Sequence, residues 1–335
     1  MSASRLFLSL LSITLIGVAI VAALGGLATY EYLRPGPLTE EKLVLVERGT
    51  GVSGIAAQLG REGVISQPIV FKIAARLGGN GGLLKAGEYA FPAHVPMKTA
   101  LQMMVDGDVY DRKVTVPEGL TSYQVVQLIN KVDDLEGNVT TIPPEGSLLP
   151  ETYHFVTGDT KQGKIDEMRA AMTKTIDELW DDRAKDLPIN TKEEAIVLAS
   201  IIEKETGVPE ERRRVAGVFV NRLKRGIALQ TDPTVIYAIT KGKMDDKGMG
   251  PLGRRLLSKD LKVESPYNTY IHTGLPPGPI ANPGRASIES ALNPEQHDYI
   301  YFVADGSGGH IFATTLKEHN DNVANWRKIR RQKKN

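Results

Sequence analysis

A chain of 335 residues with 41% hydrophobic residues has room for one membrane anchor and two or three globular units. Its 41 basic and 40 acidic residues leave a formal charge of +1, which excludes a global electrostatic pull toward nucleic acid. The lack of cysteine excludes disulfides, a cysteine-linked lipid anchor and thiolate catalysis, and it is compatible with an oxidising compartment.

Residues 6–28 form an uncharged run long enough to cross a hydrocarbon core as a helix. A cleaved signal peptide is the competing reading, but its apolar region is normally shorter and ends at a cleaner small-x-small site. Arg5 precedes the run, and Glu31, Glu40 and Glu41 follow it. Positive-inside logic then puts residues 1–5 in the cytoplasm and everything after Tyr30 outside. Residues 29–41, with RPGPLT at 34–39, read as a short stiff linker.

Residues 42–110 read as a small α+β unit. LVLVERGTGVSGIAAQLG predicts a strand, a glycine turn and an amphipathic helix ending near Gly60. A helix over 68–77, a GGNGG turn, a strand over 84–91 and a helix over 97–105 complete it. At Val114 the opening pattern returns, with Val46 matching Val116, Gly49 matching Gly119, Ile55 matching Val125 and Leu59 matching Ile129. This is a weak internal repeat, of a kind any strand–turn–helix unit can produce. LLPETYHF at 148–155 sets aromatics beside Glu151 and His154. Residues 164–187 carry a helical period through Met168, Ala171, Met172, Ile176, Leu179 and Trp180.

The stretch TKEEAIVLASIIEKETG at 191–207 organises the rest. Thr191 and Glu194 form a capping box, and Gly207 is the expected left-handed terminator, with Pro209 beyond it. Leu198, Ala195 and Ile202 centre its apolar stripe, and Glu205 points into that stripe. Glu203 lies about 160° away, on another face, and Lys204 faces outward. A carboxylate aimed into an apolar face costs several kcal/mol unless it is paired or protonated, roughly. Either Arg212, Arg213, Arg214 or Arg222 pairs with it, or the apolar site raises its pKa and makes it a general acid.

Beyond this stretch, residues 209–225 predict a helix with Val215, Val218, Phe219 and Leu223 inward. Asp232 and Pro233 read as N-cap and first residue of the next helix. YNTYIHTGLPPGPIANP at 267–283 holds too many prolines for a long helix or a central strand, so it reads as a rigid loop. A short helix at 286–292, a hairpin in YIYFVADGSGGHIFATT and a helix over 316–329 follow. The basic run at 327–334 reads as a solvated helix end.

GSGGH sits between two strand patterns, so it reads as a hairpin turn and not a phosphate cradle. The six histidines show no HExxH and no ligand cluster, so no metal is expected. No nucleophile elbow or Ser/His/Asp set is visible. Carboxylate chemistry remains. Gln230, Thr231, Asp232, Tyr267, Asn268 and Tyr270 are groups of the sort that line a sugar cleft.

LASIIEKETG, VFVNRLKRGIALQTDPTVIYAI, YNTYIHTGLPPGPIANPG and YFVADGSGGHIF together resemble the membrane-bound endolytic murein transglycosylase (YceG-like) family, over about residues 114–326. LLPETYHF resembles the family's aromatic-Pro-acid-Thr-Tyr segment, with Leu148 and Leu149 where bulkier aromatics are often found. The resemblance implies an α+β fold: a single N-terminal transmembrane helix (6–28), a LysM-like α+β unit (42–110), a catalytic α+β domain (111–330) and a basic tail (331–335). It implies that the catalytic acid is the second glutamate of the E-K-E triplet, Glu205, the residue the helix-face argument also selects. Gln230, Asp232, Tyr267, Asn268, Tyr270 and Glu151 are the expected substrate-binding residues.

The implied activity is a lyase reaction, endolytic cleavage of the bond linking N-acetylmuramic acid to N-acetylglucosamine within peptidoglycan strands. It leaves 1,6-anhydro ends, terminates nascent strands and needs no cofactor. The implied partners are glycan strands, the inner membrane and peptidoglycan synthases, with no nucleic acid. The implied location is the bacterial inner membrane, single-pass, with the catalytic domain in the periplasm. Two other readings compete: a non-catalytic peptidoglycan-binding scaffold, and a muramidase with a second carboxylate.

Overall fold

The computed structural model describes residues 3–243 and 251–332, with side chains from residue 11 onward. Residues 1–2 of the expected cytoplasmic segment and 333–335 of the expected basic tail lie outside the described residues. The chain divides into two compact units. The first is Met1–Arg112 with His154–Gly158, and the second is Lys113–Tyr153 with Asp159–Asn335.

Helix α1 (Ala3–Leu33) runs without a break. Its Leu11–Leu33 segment, with a mean hydropathy of 2.3, is long and apolar enough to cross a membrane. Residues 29–33, expected in the linker, are helical. The Thr29 hydroxyl donates to the Gly25 carbonyl at 2.8 Å, and Pro35 is the first residue to disfavour helix in the one before it. The last turn of α1 belongs to the first unit: Glu31 accepts from Arg34 at 2.8 Å and Ser66 at 2.9 Å, and Tyr32 packs on the core.

In the first unit, β1 (Lys42–Val46) leads to α2 (Val52–Arg61), α3 (Pro68–Leu77), β2 (Gly87–Phe91) and α4 (Met97–Asp106). The two strands are antiparallel, with Val44 opposite Tyr89. Strand alternation buries Val44, Val46, Tyr89 and Phe91 while Leu43 and Leu45 stay exposed. Ile55, Leu59, Phe71, Leu101 and Met104 close the core from the helices, each contributing about 2 kcal/mol by burial.

β3 (Arg112–Thr115) opens the next stretch and pairs with β4 (Thr152–Phe155), and between them lies α5 (Ser122–Asn130). Positions matched in the internal repeat play the same local part. Gly49 and Gly119 both take left-handed backbone, at φ 86° and 74°. Val46 and Val116, Ile55 and Val125, and Leu59 and Ile129 are all buried.

The second unit continues with α6 (Lys161–Trp180), α7 (Lys192–Glu205), α8 (Arg212–Lys224), α9 (Asp232–Thr240) and α10 (Arg285–Leu292). The hairpin β5 (Tyr301–Ala304) and β6 (His310–Ala313) and then α11 (Leu316–Gln332) complete it. α6 stops seven residues before its expected end at 187. Asp181 and Asp182 are poor helix formers, and Arg183 folds back over the Trp180 ring at 4.1 Å. α7 is its axis, with α6, α8, α9 and α10 around it. Every residue from Ala195 to Ile202 is buried, so the helix has no solvent face in its middle, unlike the one-sided stripe the wheel suggests.

Both ends of α7 differ in detail from expectation. Thr191 accepts from the Glu194 amide at 3.1 Å, but the Glu194 carboxylate reaches back to Asn190, one residue before the N-cap. At the other end Gly207 is not left-handed. Thr206 leaves the helix in extended conformation, and its hydroxyl accepts from the Val208 amide at 3.0 Å, which turns the chain.

Candidate active site

The last turn of α7 delivers three consecutive side chains to three surroundings. Glu203 accepts from the Gly284 amide at 3.1 Å and the Ser287 hydroxyl at 2.7 Å. Gly284 is the N-cap of α10, so this carboxylate satisfies the N-cap amide and sits at the positive end of that helix. Lys204, expected to face outward, has an open stem, but its ammonium donates to the Gly119 carbonyl at 3.0 Å. Burial pulls that ammonium's pKa below its usual value, against the opposing pull of Glu203.

Glu205 goes elsewhere. Its side chain keeps some surface exposure, yet protein atoms crowd the carboxyl enough that desolvation is the largest influence on it. Desolvation pushes its pKa up to about 7; Asp232 adds to the rise, while the Thr231 hydroxyl, His310 and Arg222 oppose it. The crowding, not the residual exposure, sets proton affinity, because the charge resides on the carboxyl.

None of the four arginines weighed as partners makes an ion pair with Glu205 among the described residues. Arg213 donates to the Asn293 carbonyl, and Arg214 pairs with Glu295 at 3.0 Å. Arg212 acts on Glu118. Arg222 is buried and commits its donors to the carbonyls of Ala228, Leu229 and Ile300 at 2.7–3.1 Å. It braces the segment leading to Gln230 and acts on Glu205 only through its charge.

That segment carries two of the expected residues. Gln230 holds left-handed backbone at φ 52°, uncommon for a residue with a side chain, and its amide donates to the Thr269 carbonyl at 3.0 Å. Thr231, not Asp232, is the N-cap of α9. Its hydroxyl is buried and makes no hydrogen bond of full geometry among the described residues, although it lies near enough to the Glu205 carboxyl to stabilise the anion. Asp232 is exposed, in the first turn of α9, and accepts from the Tyr270 hydroxyl at 2.7 Å. Glu205, Thr231, Asp232 and Tyr270 thus form one polar cluster.

The other expected residues lie apart from it. Asn268 is fully buried and donates to the carbonyls of Leu261 and Val263, so it holds the proline-rich loop instead of facing a substrate. Tyr267 packs against Tyr237 at 4.9 Å, in a group with Glu145. Glu151 is exposed beside Glu118. A hollow of about 410 Å³ has Leu120, Thr121, Lys204, Pro233, Ile236 and Tyr237 in its wall, but none of these three expected residues. The Glu205 carboxyl is not part of that wall, but Lys204 and Pro233 adjoin Glu205 and Asp232 in the chain. Apolar walls with a tyrosine suit the face of a sugar ring.

His310 and Glu211 were not anticipated. His310 follows the glycine-rich turn read as a plain hairpin closure, and Glu211 ends the 3-10 turn Pro209–Glu211. Nothing local in either stretch signals that they meet.

The profile of the YceG-like family matches residues 44–325. The chain is 35% identical over 306 residues to a Bacillus subtilis (strain 168) protein named endolytic murein transglycosylase, covering 82% of this chain and 82% of that protein. It is 29% identical over 365 residues to a Streptococcus pneumoniae serotype 2 protein of the same name, covering 92% of this chain and 64% of the longer relative. A crystal structure of a YceG-like protein from Listeria monocytogenes is 31% identical, with 84% of this chain and 99% of that one aligned at a TM-score of 0.47. The chain belongs to the YceG-like family.

Proposed function

We propose that the protein is an endolytic murein transglycosylase in which Glu205 is both general acid and general base. The carrying observation is a carboxyl that makes no ion pair among the described residues, raised to about 7 by its surroundings, beside Thr231, Asp232 and Tyr270. Near neutral pH such a group populates both protonation states, as a residue that first gives and then takes a proton requires. The names of the Bacillus and Streptococcus relatives support the substrate class.

Protonated Glu205 donates to the glycosidic oxygen between N-acetylmuramic acid and N-acetylglucosamine, and the C1–O bond breaks. The resulting carboxylate takes the proton from the muramoyl C6 hydroxyl, whose oxygen closes on C1 to leave a 1,6-anhydro end. The buried Thr231 hydroxyl serves the intermediate carboxylate as a donor. We further propose that α1 anchors the protein in the inner membrane with the catalytic unit in the periplasm. On this reading the first unit is a LysM-like glycan-binding module, and the enzyme ends nascent strands beside the synthases that make them.

A second reading has one observation in its favour. Asp232 lies close enough to raise the Glu205 pKa, so a two-carboxylate muramidase is the rival mechanism. Mass spectrometry of the ends released from uncrosslinked glycan strands separates the two. Anhydro ends are expected, and reducing ends would move the assignment to hydrolysis. Glu205→Gln should lower the cleavage rate by at least roughly 10²-fold. Glu203→Gln, which alters only the cap of α10, should retain most activity.

A further inference from the structure

The apolar helix α1 enters the first unit without a joint. Its last turn is fastened there by three hydrogen bonds. The Ser66 hydroxyl donates to Glu31 at 2.9 Å, and Arg34 donates to the Ser66 hydroxyl at 3.1 Å and to Glu31 at 2.8 Å. These bonds lie at the end of the membrane-length segment Leu11–Leu33. Tyr30, one residue earlier, has the Arg34 guanidinium 5.9 Å from its ring, a pairing of the kind found where a helix leaves a bilayer. Tyr32 packs on the first core. A unit mounted this rigidly on a spanning helix must rest some part of its surface at the level of the lipid headgroups.

Which part is decided by what stands beside the end of α1. That helix packs on α3 and α4. The exposed residues of α4 are Lys98, Thr99, Gln102 and Asp106, all polar. α3 begins two residues after Ser66 and is built differently. It turns Phe71 and Ala75 into the core, yet Ile69, Ile73 and Leu77 are 58%, 48% and 85% exposed. Their spacing of four residues sets them in one outward stripe, where a helix facing water would carry polar side chains. Lys72 and Arg76 flank the stripe, and neither makes an ion pair among the described residues. Aliphatic side chains edged by unpaired cations match the boundary between acyl chains and anionic headgroups.

We propose that the outward face of α3 is seated in the surface of the same bilayer that α1 crosses. Ile69, Ile73 and Leu77 enter the acyl boundary, and Lys72 and Arg76 meet anionic headgroups. The proposal rests on the reading of α1 as a membrane anchor. Three aliphatic side chains are too few to retain the protein on a membrane, so α1 supplies retention and α3 supplies orientation. The first unit is then held flat against the bilayer and does not swing from it on a tether.

The chain has no cysteine, so single-cysteine variants carry a fluorescent label at one position each. The full chain is placed in vesicles of phosphatidylcholine and phosphatidylglycerol, with labels in Ile69→Cys, Ile73→Cys, Leu77→Cys, Val18→Cys and Leu45→Cys. All five side chains are exposed, so the cores stay intact. Leu45 projects from β1 away from the core that α3 covers, and it serves as the comparison. The labels at 73 and 77 should shift to the blue, be quenched by lipids brominated in the acyl chains and lose quenching by aqueous iodide. The label at 45 should stay open to iodide. Lys72→Ser together with Arg76→Ser should lessen the lipid quenching at 73. Lipid quenching at 69 alone overturns the inference, since closeness to α1 would give that without docking. So does quenching at 45 in place of 73 and 77. Shielding of 73 and 77 from iodide without quenching by lipid also overturns it, and would assign the face to a second copy or to glycan. If the label at 18 escapes lipid quenching, the anchor reading itself fails, so the two failures are distinguishable.

Discussion

On the proposed function Glu205 carries the chemistry, and it is a titratable group whose ordinary charge the fold opposes. Its raised pKa means that the folded protein binds a proton more tightly than the unfolded chain does between about pH 4.5 and 7. Stability from this group is therefore full below pH 4.5 and is lost as pH rises through 7, the reverse of an ion-paired carboxylate. Glu205→Gln removes that dependence. The variant should match the parent at pH 4.5 and exceed it at pH 8 by roughly 1–3 kcal/mol, as read by chemical denaturation at both pH values. Equal stability differences at the two pH values would mean that the carboxyl is ionised in the native state and the surroundings do not oppose it. Gln230, one residue before the cluster, shows the same principle in its backbone, since strained φ persists only where neighbours over-determine it.

Between elements, the packing around α7 leaves little room for ordinary helix preferences. Gly217 lies inside α8, where alanine would normally gain about 1 kcal/mol. A Cβ at that position would meet the Glu295 carbonyl oxygen at 2.4 Å and the His297 ring at 2.6 Å. Gly217→Ala should therefore lower stability by about 1–3 kcal/mol, the cost of overpacking, and a thermal melt reads the sign directly. A raised melting temperature would show that the segment carrying Glu295 yields. The same close fit explains Glu203, whose residue type resembles that of Glu205 two positions later but whose partners are the N-cap amide and third residue of α10.

For the whole molecule, the division into units does not follow the chain. His154–Gly158 lies in the first unit, where His154 pairs with Asp111 and the Thr157 hydroxyl donates to Glu88 at 2.9 Å, which Arg112 also grips. A cut near residue 112 would strand these partners, so the first unit is better probed by surface substitutions than by truncation. The other end of that unit is easier to free. Residues 11–27 of α1 are exposed almost throughout, whereas Glu31 and Tyr32 hold the first core. Deleting residues 1–28 should abolish partition into detergent while leaving the melting midpoint and the cleavage of isolated strands unchanged. Deleting residues 1–33 should lower that midpoint. Continued detergent partition of the shorter deletion would place the membrane contact outside α1.

Periodicity was sufficient for whatever depends on neighbours in the chain. The apolar run of α1, the alternation in β1, the hairpin pattern at 301–313 and the helices from α5 to α11 are legible because burial on one face imposes a repeat of two or about 3.6 residues. Glu205 was legible for the same reason, as an ionisable residue on an apolar helix. Some helix ends were legible, such as Pro68 and Leu77 of α3 and the Thr191 cap, but the C-terminal ends of α1 and α7 were not, because Pro35 and Thr206 act there by particular sterics and hydrogen bonds. Nor was the rest of the site. Tyr270 meets Asp232 across 38 residues and His310 meets Glu211 across 99, and Asn268, polar and in a loop, is nonetheless buried. Local sequence determines which segments have a face to bury. Only the tertiary packing decides which polar groups are then left together in a low-dielectric place, because that depends on which faces meet.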